Sequence, residues 1–425
     1  MYGLIGKMLK HSLSKPIHET VRPMDYRLIE TADPARTLST LRFTGVNVTY
    51  PYKRSLVDAC AIRDDNVKAT GVLNTIVNEN GLWHAYNTDV DAFRSLIQKA
   101  FPPSKDTSVG ILGNGATALS IHYALTCEGY HNITVYARNP APHERPLDAL
   151  IDTHAVLIHT TPVGTYPNQG DTLIDDFTPF TNVCLLVDVV YNPIKTRLMQ
   201  RAEDAGIPTI GGLFMLVAQA IESNQRFFKT TYDASVIETV FKSVLKSTIN
   251  LVLIGLPFSG KSHLGRMLGD RFKMAFIDVD RQVEKSVGSS VESFIETHGL
   301  DAFRAIEHTA ANKTAIARHA VIATGGGLVE NDDAMRALKQ HACVVYINLD
   351  ETLMDTIRFH SRPHVKTKAD LLALKRARHN RYLFHADITY DKSTQDAERA
   401  LATIEVKFHA YIDHQWTKLE RAWDA

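Results

Sequence analysis

A chain of 425 residues is long enough for roughly two to four domains, and at 44% hydrophobic and 22% charged it has the composition of an ordinary globular protein. Lysine plus arginine and aspartate plus glutamate both total 47, so the formal net charge is zero. That balance removes any overall electrostatic reason to bind nucleic acid or an anionic membrane. The start MYGLIGKMLKHSLSKP shows no signal peptide, and no segment approaches the roughly 20 apolar residues of a membrane span. A cytoplasmic protein is expected, with homo-oligomerisation left open. Cys60, Cys127, Cys184 and Cys343 form no CxxC pair, which reads as reduced, mostly buried thiols. The nineteen histidines show no metal-binding spacing and read mostly as solvated or capping residues.

One βαβ unit of about the expected length starts at Ser108. There SVGIL predicts a strand, GNGATA a glycine turn, LSIHYALTCEG a helix and NITVYARN a second strand. Short strands follow at AVLIHTT and CLLVDVV, so a parallel sheet is expected here. Residues 213–228, LFMLVAQAIESNQRFF, predict an amphipathic helix with Leu213, Val217, Ile221 and Phe228 near one face.

The turn GNGATA, Gly113 to Ala118, fits GxGxxA between strand and helix. Gly113 permits the tight turn, and Gly115 lets backbone approach a pyrophosphate at the helix N-terminus. Asn114, Ala116 and Thr117 complete the cofactor loop. Arg138, with Asn139 beside it, ends the next strand where an NAD site would carry an acid. An arginine there suits a 2′-phosphate, so NADP(H) is the expected cofactor.

Several motifs in this half resemble shikimate dehydrogenase, in order, from Tyr2 to about Phe228. By that resemblance YGLIGKMLKHSLS supplies Ser12 and Ser14 for the substrate carboxylate, and GVNVTYPYK supplies Thr49 and Lys53. GVLNTIV and YNTDVDAF supply Asn74 and Asp89, VDVVYNPIKTRL supplies Tyr191, and GGLFMLVAQA supplies Gly212 and Gln219. The chemistry agrees. Reducing a ketone by hydride transfer puts negative charge on its oxygen, which needs a nearby proton donor. Lys53 can be that donor and Asp89 can orient it, while the hydroxyls and amides suit a small polyhydroxy acid. Taken alone, Lys53 would read as a solvated surface lysine. Its place inside NVTYPYK reverses that.

The chain restarts at INLVLI, with strands expected again at AFIDVD, AVIATGGG and CVVYINLD and helices between them. Between INLVLI and the next helix stands GLPFSGKS, Gly255 to Ser262, which satisfies GxxxxGK[ST]. Its backbone N–H groups, with Gly255 and Gly260 in the loop, would wrap ATP phosphates. Lys261 would reach the β- and γ-phosphates, and Ser262 would ligate Mg²⁺. The order of FIDVD, FRAIE, TGGG, SRPH and RHNRY resembles shikimate kinase over residues 249 to about 392. That resemblance implies that Asp278 assists Mg²⁺ and Asp280 accepts the hydroxyl proton. Arg304 and Arg378 clamp the substrate carboxylate, Gly325, Gly326 and Gly327 let backbone approach the ring, and Arg362 stabilises the transferring phosphoryl group. Without the resemblance, Arg304 and Glu307 read as an i,i+3 surface pair.

The expected fold is therefore α/β throughout: a two-domain dehydrogenase followed by a phosphate-loop kinase domain. The division reads 1–105 for substrate binding, completed by helices in 206–247, 106–205 for NADP(H), and 248–425 for the kinase with a helical tail. The expected function is reduction of 3-dehydroshikimate to shikimate with NADPH, then phosphorylation of shikimate with ATP. Two alternatives stay open: an inactive metabolite sensor built on the same folds, and a quinate dehydrogenase using NAD.

Overall fold

The computed structural model describes residues 1–102, 104–359, 365–420 and 422. The chain forms two compact units, Met1–Val244 with the residues from Trp416 onward, and Leu245–Gln415. Each is built on parallel or mixed sheets with helices packed against them.

The first sheet of the first unit contains β1 (Tyr2–Gly6), β2 (Tyr26–Glu30), β3 (Gly45–Val48), β4 (Ile62–Arg63), β5 (Thr75–Glu79) and β6 (Leu82–Tyr86), in the order β2-β1-β3-β5-β6-β4. β1 runs parallel to β2 and β3, whereas β5 is antiparallel to both β3 and β6. Register matters here. Asn47 of β3 lies opposite Thr75 of β5, and Thr75 lies opposite Tyr86 of β6. The segments leaving β3, entering β5 and leaving β6 therefore gather at one end of the sheet.

The second sheet holds β7 (Val109–Leu112), β8 (Ile133–Ala137), β9 (Arg145–Pro146), β10 (Val156–His159), β11 (Leu185–Asp188) and β12 (Thr209–Gly211). All its pairings are parallel, in the order β12-β11-β10-β7-β8-β9. This is the doubly wound order that places a ligand crevice at the carboxyl ends of the strands. Every residue of β7, β10 and β11 is buried, as helices on both faces require.

The helix Leu213–Phe228 has the bounds its periodicity predicts. Its burial departs from a single apolar face: Phe214, Met215, Ala218, Ser223 and Asn224 are buried along with Leu213, Val217 and Ile221. It packs against the helices Ser14–Val21 and Thr88–Ala100 and against β5, so several sides are covered. Phe227 fills the core, while Phe228 is only partly buried and holds the Arg22 guanidinium 4.4 Å from its ring. Trp416 is grouped with this unit rather than with the kinase range in which the sequence places it. The reason is apolar packing: its ring lies 5.9 Å from Phe214 and 5.5 Å from Phe241.

The second unit has one all-parallel sheet of β13 (Asn250–Ile254), β14 (Ala275–Asp278), β15 (Ala320–Ala323), β16 (Ala342–Leu349) and β17 (Ile388–Lys392). Their order is β14-β15-β13-β16-β17. β14 ends at Asp278, which caps the helix Val279–Val287, so FIDVD is half strand and half helix.

Among the described residues no helix is long and apolar enough to cross a membrane. All four cysteines are free; Cys60 and Cys343 are buried, whereas Cys127 and Cys184 are exposed. Five of the nineteen histidines, His18, His154, His159, His341 and His385, are buried.

Candidate active sites

At the gathered end of the first sheet, Lys53 Nζ donates to Asp89 Oδ2 at 2.6 Å. The lysine side chain is 16% exposed and the aspartate 6%, so this is no solvated surface lysine. Asn74 enters from the start of β5 and donates through Nδ2 to Asp89 Oδ1 at 3.0 Å. Both carboxylate oxygens are thereby engaged, which fixes where the ammonium sits. Asp89 itself stands in the first turn of the helix Thr88–Ala100, where the helix dipole favours an anion.

Thr88, which sequence reasoning passed over, links the pieces. Its N–H donates to Asn74 Oδ1 at 2.9 Å and its hydroxyl to the Gln219 carbonyl at 3.0 Å. Gln219 Oε1 in turn accepts from Asn74 Nδ2 at 3.4 Å. Behind them Ser223, also passed over, lies 2.7 Å from Thr75 Oγ1 and accepts from Asn47 Nδ2 at 2.8 Å. The signal for Ser223 is its i+4 spacing from Gln219, one helical turn away on the same face.

Ser12 accepts from the Ser14 N–H at 3.2 Å and is hydrogen-bonded to Tyr191. Burial raises the Tyr191 phenol above its ordinary pKa, and the Ser12 bond opposes that rise. Thr49 follows β3 and its N–H donates to the Ile5 carbonyl at 2.9 Å. Gly212 has no room for a side chain, because the Val189 carbonyl oxygen already fills the place of a Cβ.

The cofactor loop leaves β7 at Gly113, whose φ of +117° only glycine adopts comfortably. A Cβ there would lie 2.6 Å from Thr160 Oγ1. Gly115, by contrast, faces open space and precedes the helix Ala116–Cys127, with Thr117 in its first turn. Asn114 donates to the Asn139 carbonyl at 3.2 Å and to Glu144 Oε2 at 2.9 Å. Arg138 is exposed just past β8, the strand paired with β7, and so belongs to the same edge of the sheet. An open glycine, a helix N-terminus and an exposed guanidinium together fit a phosphorylated dinucleotide. Next to this loop His159 and Asp188, 1% and 0% exposed, are joined at 2.9 Å. The other imidazole nitrogen of His159 reaches Thr161 Oγ1 at 2.5 Å.

In the second unit, β13 feeds the phosphate loop. Gly255 and Gly260 have φ of +145° and +91°, and the helix Lys261–Phe272 begins directly after. Lys261 is buried and donates to the carbonyls of Gly255 at 2.9 Å and Leu256 at 2.8 Å. Ser262 lies in the first helical turn. β15, the neighbour of both β13 and β14, delivers Gly325, Gly326 and Gly327 to the same edge. Charged groups crowd these glycines. The places of their absent side chains are taken by Glu307 Oε1 and Asp280 Oδ1 at Gly325, by Pro257 at Gly326 and by the Arg304 guanidinium at Gly327.

Arg304 Nη1 does pair with Glu307 at 2.5 Å, but the Glu307 side chain is 1% exposed. Burial pushes its carboxyl above the ordinary range, with Arg304 pulling the other way. A surface pair is therefore excluded. Arg378 donates to the Gly326 carbonyl at 3.3 Å and to Glu330 Oε2 at 2.9 Å, and Arg304 Nη2 reaches that same Glu330 oxygen at 3.5 Å. The two guanidiniums thus converge on one carboxylate, as a carboxylate clamp would. Arg362 lies outside the described residues. Among the described residues no cluster of three or more His, Cys, Asp or Glu could hold a metal by itself. Ser262 and Asp278 fit a Mg²⁺ that takes most of its oxygens from phosphates and water.

Comparison with known proteins agrees with both halves. Residues 257–407 match the shikimate kinase family, and residues 4–76 match the shikimate dehydrogenase substrate binding domain. The shikimate dehydrogenase (NADP(+)) of Clostridium perfringens is 30% identical over 266 residues, covering 57% of this chain and 98% of the relative. Shikimate dehydrogenase 1 from Peptoclostridium difficile superposes with a TM-score of 0.53 at 26% identity, over 57% of this chain and 97% of that one. Quinate dehydrogenase from Corynebacterium glutamicum, solved with NAD, gives 0.51 at 26% identity, over 57% and 98%.

Proposed function

The chain belongs to the shikimate dehydrogenase family and carries a shikimate kinase domain behind it, and from that pairing we infer how its residues divide the work. It is a bifunctional enzyme of the shikimate pathway: it reduces 3-dehydroshikimate to shikimate with NADPH and phosphorylates shikimate with ATP and Mg²⁺. Residues 1–105 with 206–247 bind the first substrate, 106–205 hold the dinucleotide, and 248–415 carry phosphoryl transfer.

In the reductase, NADPH supplies the hydride when bound. Gly113, Asn114, Gly115, Ala116, Thr117, Arg138 and Asn139 would hold it. Lys53 delivers a proton to the developing alkoxide, and Asp89 keeps the ammonium aimed. Ser12, Ser14, Thr49, Asn74, Tyr191, Gly212 and Gln219 bind and orient the hydroxyacid. The observation carrying this reading is the 2.6 Å Lys53–Asp89 contact braced by Asn74. In the kinase, Arg304 and Arg378 hold the carboxylate, Asp280 takes the hydroxyl proton, and Lys261 with Arg362 stabilises charge on the phosphoryl group. The residues that would hold Mg²⁺ are Ser262 and Asp278.

Incubation of the purified chain with 3-dehydroshikimate, NADPH and MgATP tests the whole reading, and shikimate 3-phosphate is the expected product. The Lys261→Ala chain should stop at shikimate. A chain that made neither product would be a sensor, and one that preferred quinate and NAD would overturn the cofactor assignment.

A further inference from the structure

The phosphate loop has a cationic neighbour that no motif announces. Lys392 ends β17, and although it is a lysine it is only 9% exposed. Its Nζ donates to the Ser259 carbonyl at 3.2 Å, which is its hydrogen-bond acceptor among the described residues. The ammonium also lies against Gly260, where a Cβ would be 2.9 Å from it. A buried ammonium is costly unless an anion compensates it, and burial draws Lys392 below the ordinary lysine pKa. With three N–H donors and one carbonyl engaged, most of its donor capacity is unspent. The position is beside the start of the helix Lys261–Phe272, whose first N–H groups already favour an anion. Gly260 is accordingly glycine for two reasons: its φ of +91° and the space this ammonium occupies.

We propose that Lys392 is a nucleotide-binding residue of the kinase unit, bracing the phosphate loop through Ser259 and giving its remaining donors to the phosphates of ATP. It adds a second lysine to the one the loop motif contains, and the proposal rests on the kinase reading above. Lys392→Met keeps the length of the stem and removes the charge. In the full chain it should weaken MgADP binding about tenfold or more, the size of a charge-assisted hydrogen bond, and raise the KM for ATP similarly. Adenosine, which lacks phosphates, should bind the variant and the parent chain alike. Shikimate affinity should be unchanged, which also shows that the unit has folded. Equal MgADP affinity in both chains would overturn the proposal, as would a loss shared by MgADP, adenosine and shikimate, which marks a purely structural lysine. If the parent chain bound no MgADP at all, the kinase reading itself would fall.

Discussion

At Lys53 the site's chemistry is held by very few atoms. Asp89 offers one oxygen to the ammonium and the other to Asn74, so replacing the lysine removes the proposed proton donor and leaves the Asn74 contact in place. Lys53→Met should lower turnover of the reduction about 10²-fold or more, with phosphoryl transfer unchanged; steady-state rates of both half-reactions check it. In the kinase unit Glu330 presents the opposite case. Its carboxylate sits on Arg378 and Arg304, the two arginines proposed to hold the substrate carboxylate, at 2.9 and 3.5 Å, with its side chain 48% exposed. On that proposal substrate has to displace it. Glu330→Gln should therefore lower the KM for shikimate several-fold while leaving the KM for ATP alone. A higher shikimate KM would instead mean that Glu330 orients the guanidiniums.

The element that most clearly links sequence to stability is the short helix Ser14–Val21. Its His18 is fully buried, stacked on Tyr26 at 4.4 Å and 2.7 Å from the Asn224 amide. Burial lowers its pKa from 6.5 to about 3. Above pH 6.5 both folded and unfolded states leave it neutral, and its packing contributes fully. Between 6.5 and about 3 the unfolded chain takes up a proton that the folded chain refuses, so stability falls with pH. The loss over the whole window should be on the order of 5 kcal/mol, of which about 2 kcal/mol falls between pH 7 and pH 5. Urea unfolding of the reductase unit at pH 7 and pH 5 should show it, and His18→Phe should flatten the difference. The helix Leu213–Phe228, covered on several sides, supplies both Gln219 and Ser223 to the site; that is why its sequence is apolar yet carries buried polar residues.

The two units have separate cores, and Trp416 groups with the first of them. Trp416 is 7% exposed, lies between Phe214 and Phe241, and has the Lys99 ammonium 4.4 Å from its ring. Trp416→Ala should destabilise the reductase unit by about 3 kcal/mol, the usual cost of deleting a large buried aromatic ring. Reduction should then be lost at lower temperature than phosphoryl transfer. If phosphoryl transfer failed first, Trp416 would have to stabilise the second unit.

Motifs whose meaning depends on a few consecutive residues were legible before any fold was known. GNGATA and GLPFSGKS announce their turns because glycine geometry and helix N-termini are local properties. The strands around them announce themselves because doubly covered parallel strands are continuously apolar. NVTYPYK and YNTDVDAF named Lys53 and Asp89 by resemblance, but their 2.6 Å contact follows from the antiparallel register of β3, β5 and β6, which no local pattern encodes. Tertiary structure alone decided that Glu307 is buried under Gly325, that Glu330 bridges two arginines, that His18 is a core residue, and that Lys392 faces the phosphate loop. Charged and titratable side chains look alike in sequence whether solvated or buried; what distinguishes them is the desolvation imposed by strands and helices far away along the chain.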